Sequence, residues 1–222
     1  MSVRAVIFDL DGVLIDSERC WQRAREVFAA AHGAVWTDAL QRRAMGTGSE
    51  QWLALMQQHI APHLAPETIY ADMIERMRAE YARALPLRER AVETVRALAE
   101  HYTVALASGA PTDLIDYTMA TSGLDSAMAT IVYGDTVSNG KPAPDIYTEA
   151  VRRLDLSPTE AVGIEDSTNG LAALHAAGLW AIAAPVPGFE PTSAELARAH
   201  ARVDGLAEVT PTLIDDLSGP RD

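Results

Sequence analysis

Short apolar runs, several of them β-branched, punctuate the chain: "AVIF" at 5 to 8, "TVALA" at 103 to 107, "TIVY" at 130 to 133, "AVGI" at 161 to 164 and "WAIAA" at 180 to 184. Runs this short, without polar alternation, predict strands buried on both faces, as in a parallel sheet. Between them the apolar spacing becomes helical, in "ERAVETVRALAEH" (89 to 101), "DIYTEAVRRLDL" (145 to 156) and "NGLAALHAAG" (169 to 178). The last closes on Gly178, the residue type best able to take the left-handed conformation that ends a helix. Strand alternating with helix predicts an α/β fold with a parallel sheet wound through right-handed crossovers.

One segment breaks the alternation. Residues 16 to 86 hold no strand-like run, only helical patterns rich in Ala, Arg, Glu, Met and Gln. An all-helical domain is therefore expected there, inserted into a core made of 1 to 15 and 87 to 222. Its first helix is expected to start with Ser17 as N-cap and stop at Gly33, with Trp21, Ala24, Phe28 and Ala31 on one face.

Composition narrows the partners. A chain of 222 residues, 48% hydrophobic and 22% charged, suits a soluble domain carrying an insertion. The formal net charge of -13 would repel nucleic acid and anionic membrane surfaces, which need clustered Lys and Arg. A small molecule is the expected partner. Cys20 is the single cysteine, so no internal disulfide forms and a reducing compartment suits the chain. The apolar run near the start is broken by Asp9 and Asp11 and is too short for a signal segment or a membrane span. A cytoplasmic protein is the expectation.

Of 18 positive side chains, only Lys141 is a lysine. Arginine offers a planar fork, whereas lysine is a compact point charge, the form suited to a single phosphate or carboxylate oxygen. In an open α/β sheet, ligands bind at the carboxyl ends of the strands. Asp9 and Asp11 follow the first run, Ser108 the second, Glu165 and Asp166 the fourth, and Lys141 follows the third by a short loop. Several carboxylates brought together repel unless one is protonated or a hard cation intervenes. Magnesium fits, since it takes oxygen ligands and commonly shares its shell with a substrate phosphate. Asp9 and Asp166 are the expected ligands, with Glu165 bound directly or holding a coordinated water. The six histidines show no zinc spacing. With Asp9, Glu165 and Asp166 ionised and Asp11 protonated, a divalent ion and Lys141 bring the site to neutrality, so that it can admit a phosphate dianion. Asp9 can then attack phosphorus and Asp11 can shuttle the proton. Gly12 gives the backbone room to turn sharply away from the strand. Ser108, with nearby backbone N–H groups, would orient the phosphoryl oxygens.

These residues resemble the haloacid dehalogenase superfamily of phosphatases: "DLDGVL" (9 to 14) its nucleophile motif, "LASG" (106 to 109) its Ser/Thr motif, "GKPAPDIY" (140 to 147) its lysine motif, and "GIEDSTNGLAALHAAG" (163 to 178) its acidic metal motif. The resemblance implies a Rossmann-like core, an essential Mg2+, an aspartyl-phosphate intermediate, and a metal bound also by the backbone carbonyl of Asp11. The insertion resembles the helical cap of the β-phosphoglucomutase-like branch, which closes over substrate about hinges that would fall near 13 to 16 and 84 to 88. Asp11 argues against a true dehalogenase, and a cap without lysine argues against a phosphonatase. The branch's mutases carry a histidine where this chain has Trp21, and a basic residue in the cap loop where "MGTGSE" (45 to 50) has none. A sugar phosphatase is the better match, with phosphoglycolate phosphatase, a phosphomutase or a non-catalytic metabolite-binding protein as alternatives. Gly46 of the cap loop, Gly109 beside Ser108, and Trp21, whose indole either stacks on a sugar or packs, complete the expected substrate contacts. A monomer or weak homodimer is expected.

Overall fold

The computed structural model describes residues 2–44, 47–187 and 190–218. Six strands form one sheet: β1 (Ala5–Phe8), β2 (Thr103–Ser108), β3 (Thr130–Tyr133), β4 (Ala161–Glu165), β5 (Trp180–Ala183) and β6 (Ala201–Arg202). Their spatial order is β3-β2-β1-β4-β5-β6, with parallel pairing throughout. This is the expected Rossmann-like α/β architecture. The chain runs outward from β1 to β3 and then returns to place β4 on the other side of β1, so the order reverses beside β1. Such a reversal opens a crevice at the carboxyl ends of the two strands.

The sheet is covered on both faces. Along β1, Val6 and Phe8 join one apolar cluster with Val104, Leu106, Val162 and Ile164. Ala5 and Ile7 join the other, with Ala105, Tyr147, Leu171 and Leu174. Every residue of β1 is fully buried, which is why the run shows no polar alternation.

Between β1 and α5 (Ala91–Ala99) lie four helices: α1 (Glu18–Ala31), α2 (Asp38–Ala44), α3 (Ser49–His59) and α4 (Pro66–Arg83). No strand lies among them in the described residues. Phe28, Met56, Ile69, Met73 and Met77 are fully buried there. The two connectors run side by side, with Asp16 N–H donating to Pro86 O at 2.8 Å and Arg88 N–H to Leu14 O at 2.9 Å. The rest of the chain adds α6 (Thr112–Ser122), α7 (Asp145–Arg153), α8 (Thr168–Ala177), α9 (Ser193–Leu196) and α10 (Pro211–Ser218). Gly178 does cap α8, at φ 77°. Among the described residues, no helix is long and apolar enough to cross a membrane.

Three local expectations change. Ser108 and Glu165 are the last residues of β2 and β4 rather than the first beyond them, because both remain paired in the sheet. Ala31 is exposed, and the buried face of α1 instead includes Arg25, 3% exposed. Its Nη1 donates to Glu18 Oε1 at 3.1 Å, and its guanidinium lies 5.1 Å from the Trp21 ring centroid and 5.8 Å from that of Trp36. Ser17 does precede α1, but its hydroxyl makes no cap bond. It serves the site described next.

Candidate active site

Three strand ends deliver the charged cluster. Asp9 follows β1 directly and is 6% exposed, its amide still donating to Ile164 O of β4. Lys141 lies on the loop between β3 and α7, and its Nζ reaches back to Asp9 Oδ1 at 2.5 Å, Glu165 Oε1 at 2.6 Å and Ala107 O at 3.3 Å. Asp9, Glu165 and Asp166 each place a carboxylate oxygen within 4.8 Å of the others. The sole lysine thus sits among the acids as expected.

Asp11 has a different partner. Its Oδ1 accepts the Ser17 hydroxyl, and it is not one of the three grouped carboxylates, although its charge acts on Asp9 and Asp166. Gly12, at φ 79°, makes the turn between the two aspartates and the connector. A side chain there would also collide with Asp166, whose Oδ2 lies 1.9 Å from where a Cβ would sit. Both the positive φ and the close approach require glycine. Gly12 O accepts from Arg88 Nη1, which also donates to Ala184 O at 3.2 Å, tying the turn to the second connector and the end of β5.

The electrostatics follow from burying acids together. Burial pushes the Asp9 carboxyl up to about 7, with Lys141 pulling against it and Glu165 and Asp11 adding to it. Burial likewise raises Asp11, opposed by the Ser17 hydroxyl and the Lys141 charge. Asp166 is held well above the ordinary carboxylate range by burial and by the Glu165 and Asp9 charges. For Lys141, burial works downward, but the Asp9 and Glu165 carboxylates outweigh it and hold the ammonium well above the usual lysine value. The upward shift of Asp11 and the charged Lys141 run in the direction of the proton bookkeeping expected above, whereas Asp9 and Asp166 are also pushed toward their protonated forms, against the ionised state expected of them.

A cation fits this donor set. All three grouped side chains offer hard oxygen, which suits magnesium rather than a soft metal. Glu165 is engaged: Oε1 accepts from Lys141 and from the Tyr147 hydroxyl, and Oε2 from Asp166 N, Ser167 N and Ser167 Oγ. Asp166 is half-buried, and among the described residues no hydrogen bond to its carboxylate is found.

A sequence profile of the haloacid dehalogenase-like hydrolases matches residues 3–178. The chain belongs to this family. It is 31% identical over 180 residues to a phosphorylated carbohydrates phosphatase of Thermotoga maritima, covering 80% of this chain and 82% of that protein. It is also 31% identical over 229 residues to the protein CbbY of Cereibacter sphaeroides, covering 98% and 99%. A crystal structure of a CbbY variant from Rhodobacter sphaeroides with xylulose-1,5-bisphosphate superposes with a TM-score of 0.83 at 29% identity, over 96% of this chain and 99% of that one.

Within this hydrolase the remaining expected residues fall as follows. Ser108, 1% exposed, accepts the Ala110 amide at 3.1 Å on its Oγ, which aims the hydroxyl at the end of β2. Gly109 beside it is exposed. Trp21 is 7% exposed, 5.4 Å from Trp52 between centroids and 5.1 Å from the Arg25 guanidinium, so its indole packs inside the helical unit. Gly46 lies outside the described residues. Sequence reasoning missed three contributors to the site: Ser17 on Asp11, Arg88 on Gly12, and Tyr147 on Glu165. Tyr147 ends the "GKPAPDIY" stretch and Ser17 opens α1, so position alone flagged both, but nothing in the sequence revealed their partners.

Proposed function

We propose that this hydrolase is a magnesium-dependent phosphatase of small, sugar-like phosphomonoesters that works through an aspartyl phosphate on Asp9. The observation that carries the proposal is the 2.5 Å contact of Lys141 Nζ with Asp9 Oδ1, in a cluster that Asp166 shares. A lone ammonium held against buried acids offsets charge that would otherwise repel an incoming phosphate dianion.

Asp9 would attack phosphorus as the ester bond breaks, and Asp11 would give its proton to the departing alkoxide. Water then attacks the aspartyl phosphate, Asp11 takes back a proton, and the acyl–phosphate bond breaks to release phosphate and restore the Asp9 carboxylate. The raised Asp11 carboxyl supports its role as the acid. Ser108 Oγ would donate to a phosphoryl oxygen, with the backbone N–H of Gly109 near it. Asp9 and Asp166 would hold the ion, with the Asp11 carbonyl, while Glu165 works from behind through Lys141. Bound there, magnesium would neutralise charge on the phosphoryl oxygens. Residues 16 to 86 would act as a cap that excludes water, moving on the paired connectors. The sugar-like substrate is supported by the relatives named for phosphorylated carbohydrates and crystallised with a sugar bisphosphate.

The test is phosphate release from an aryl phosphate and from a panel of sugar phosphates, phosphoglycolate and nucleoside monophosphates, with magnesium or chelator. Release is expected only with magnesium and is expected to vanish in Asp9→Asn. Turnover that survives either change defeats the proposal, and a preference for non-sugar esters defeats its substrate class.

A further inference from the structure

We propose that Tyr147 is a positioning residue of this site, holding Glu165 and Lys141 so that the ammonium stays on Asp9. The inference rests on the roles of Asp9 and Lys141 given above. Tyr147 is fully buried on the first turn of α7, and its hydroxyl donates to Glu165 Oε1 at 2.7 Å. A phenol is a donor at neutral pH, and among the described residues the acceptor its O–H meets is that carboxylate oxygen. Lys141 Nζ lies 4.9 Å from the centroid of the same ring, within range of a cation–π attraction. One side chain therefore contacts both members of the Lys141–Glu165 pair.

An ammonium has three protons, and Lys141 directs its own to Asp9 Oδ1, Glu165 Oε1 and Ala107 O. The 3.3 Å bond to Ala107 O is the longest of the three and is the one a phosphoryl oxygen would replace. Asp9 and Glu165 compete for the other two. The phenol satisfies part of Glu165 Oε1 and so weakens its claim on the ammonium. From the opposite side Gly170 leaves room for the same carboxylate: a Cβ there would lie 1.8 Å from Glu165 Cδ and 1.9 Å from Oε1. With the phenolic O–H gone, or with the Glu165 carboxylate pushed from its place, the ammonium shifts off Asp9 while the substrate's own contacts are untouched.

Two variants test this from opposite sides. Tyr147→Phe keeps the ring and removes the donor, and Gly170→Ala pushes on the carboxylate while favouring helix α8. Because Lys141 is the only lysine, reductive methylation with 13C-formaldehyde gives NMR signals from Lys141 and the N-terminal amine alone. Both variants are expected to lower kcat by about tenfold, the usual loss when a partner one shell behind a site residue is removed, with KM unchanged. Both are also expected to methylate at Lys141 several-fold faster, while a variant that is merely less stable would leave the KM-against-kcat split unpatterned. If Tyr147→Phe does not fold, Tyr147→Met, which also lacks the donor, takes its place, and Gly170→Ala reports only on the Glu165 carboxylate. Wild-type kcat together with wild-type lysine reactivity in a folded variant overturns the inference. A wild-type protein that hydrolyses no phosphate ester defeats the phosphatase reading instead, and the methylation rates then still decide whether Tyr147 holds Lys141.

Discussion

Lys141→Met deletes one charge and keeps nearly all of the stem's length, which isolates what the ammonium contributes. In the wild type the Lys141 side chain is 14% exposed and the Glu165 side chain 1%, so the pair is shielded from water. Removing one partner of such a pair costs about 3–5 kcal/mol, because the other is left as an uncompensated buried charge. Glu165 would keep the Tyr147 hydroxyl, two amides and the Ser167 hydroxyl, which places the loss at the lower end, about 3 kcal/mol. For a chain of this size about 2–4 °C accompanies each kcal/mol, so Tm should fall by roughly 6–12 °C. Asp9 adds a pH signature. Its carboxyl stands at about 7 with Lys141 pulling it down, so the variant's Asp9 titrates higher still. Below pH 7 the folded proteins both hold the Asp9 proton, and that residue contributes nothing to the gap. Above pH 7 the wild type releases the proton while the variant keeps it, and the gap widens by about 1.4 kcal/mol for each pH unit until the variant also titrates. Urea unfolding in chelator at pH 6 and pH 8 measures both effects. A loss under about 1 kcal/mol, or a gap that narrows as pH rises, refutes the electrostatic account of the site.

The metal leaves its own trace on stability. Asp9 and Asp166 both titrate above their unfolded values, so the folded metal-free protein binds extra protons above about pH 4, and its stability should fall as pH rises toward 7. Magnesium has to displace those protons. The Tm gained on adding it, worth about 2.7 kcal/mol at a hundred times Kd, should therefore grow from pH 5.5 to 7.5. A gain as large at the lower pH speaks against these ligands. Gly163 tests the core rather than the chemistry: in β4 a Cβ there would lie 2.1 Å from Leu174 Cδ2 and 2.8 Å from Cδ1. Gly163→Ala should cost about 1–3 kcal/mol by overpacking, and an unchanged thermal melt would contradict the packing of α8 on the sheet.

Much of this protein is written locally in its sequence. The runs at 5 to 8 and 130 to 133 coincide with β1 and β3, because a strand buried on both faces has no place for polar residues and so announces itself. Gly178 marks the end of α8 for an equally local reason, the left-handed backbone it adopts. That the acids at 9, 165 and 166 and the lone lysine come together was legible because a parallel sheet sends every strand's carboxyl end to one edge.

Tertiary structure decided whatever depends on a partner far away in the chain. The two-residue β6 is too short to carry a pattern and exists only by pairing with β5. Arg25 is of a residue type that usually stays in water, yet it is buried, because Glu18, Gln41, Trp21 and Trp36 meet around it. Ser17 has the residue type of a helix cap, yet its hydroxyl goes to Asp11. Tyr147 has the residue type of a core aromatic, yet its hydroxyl goes to a carboxylate 18 positions away. Hydrophobic periodicity reports which face of an element is dry. The direction of one hydroxyl or one guanidinium is set by a single neighbour, and that neighbour is known only once the chain has folded.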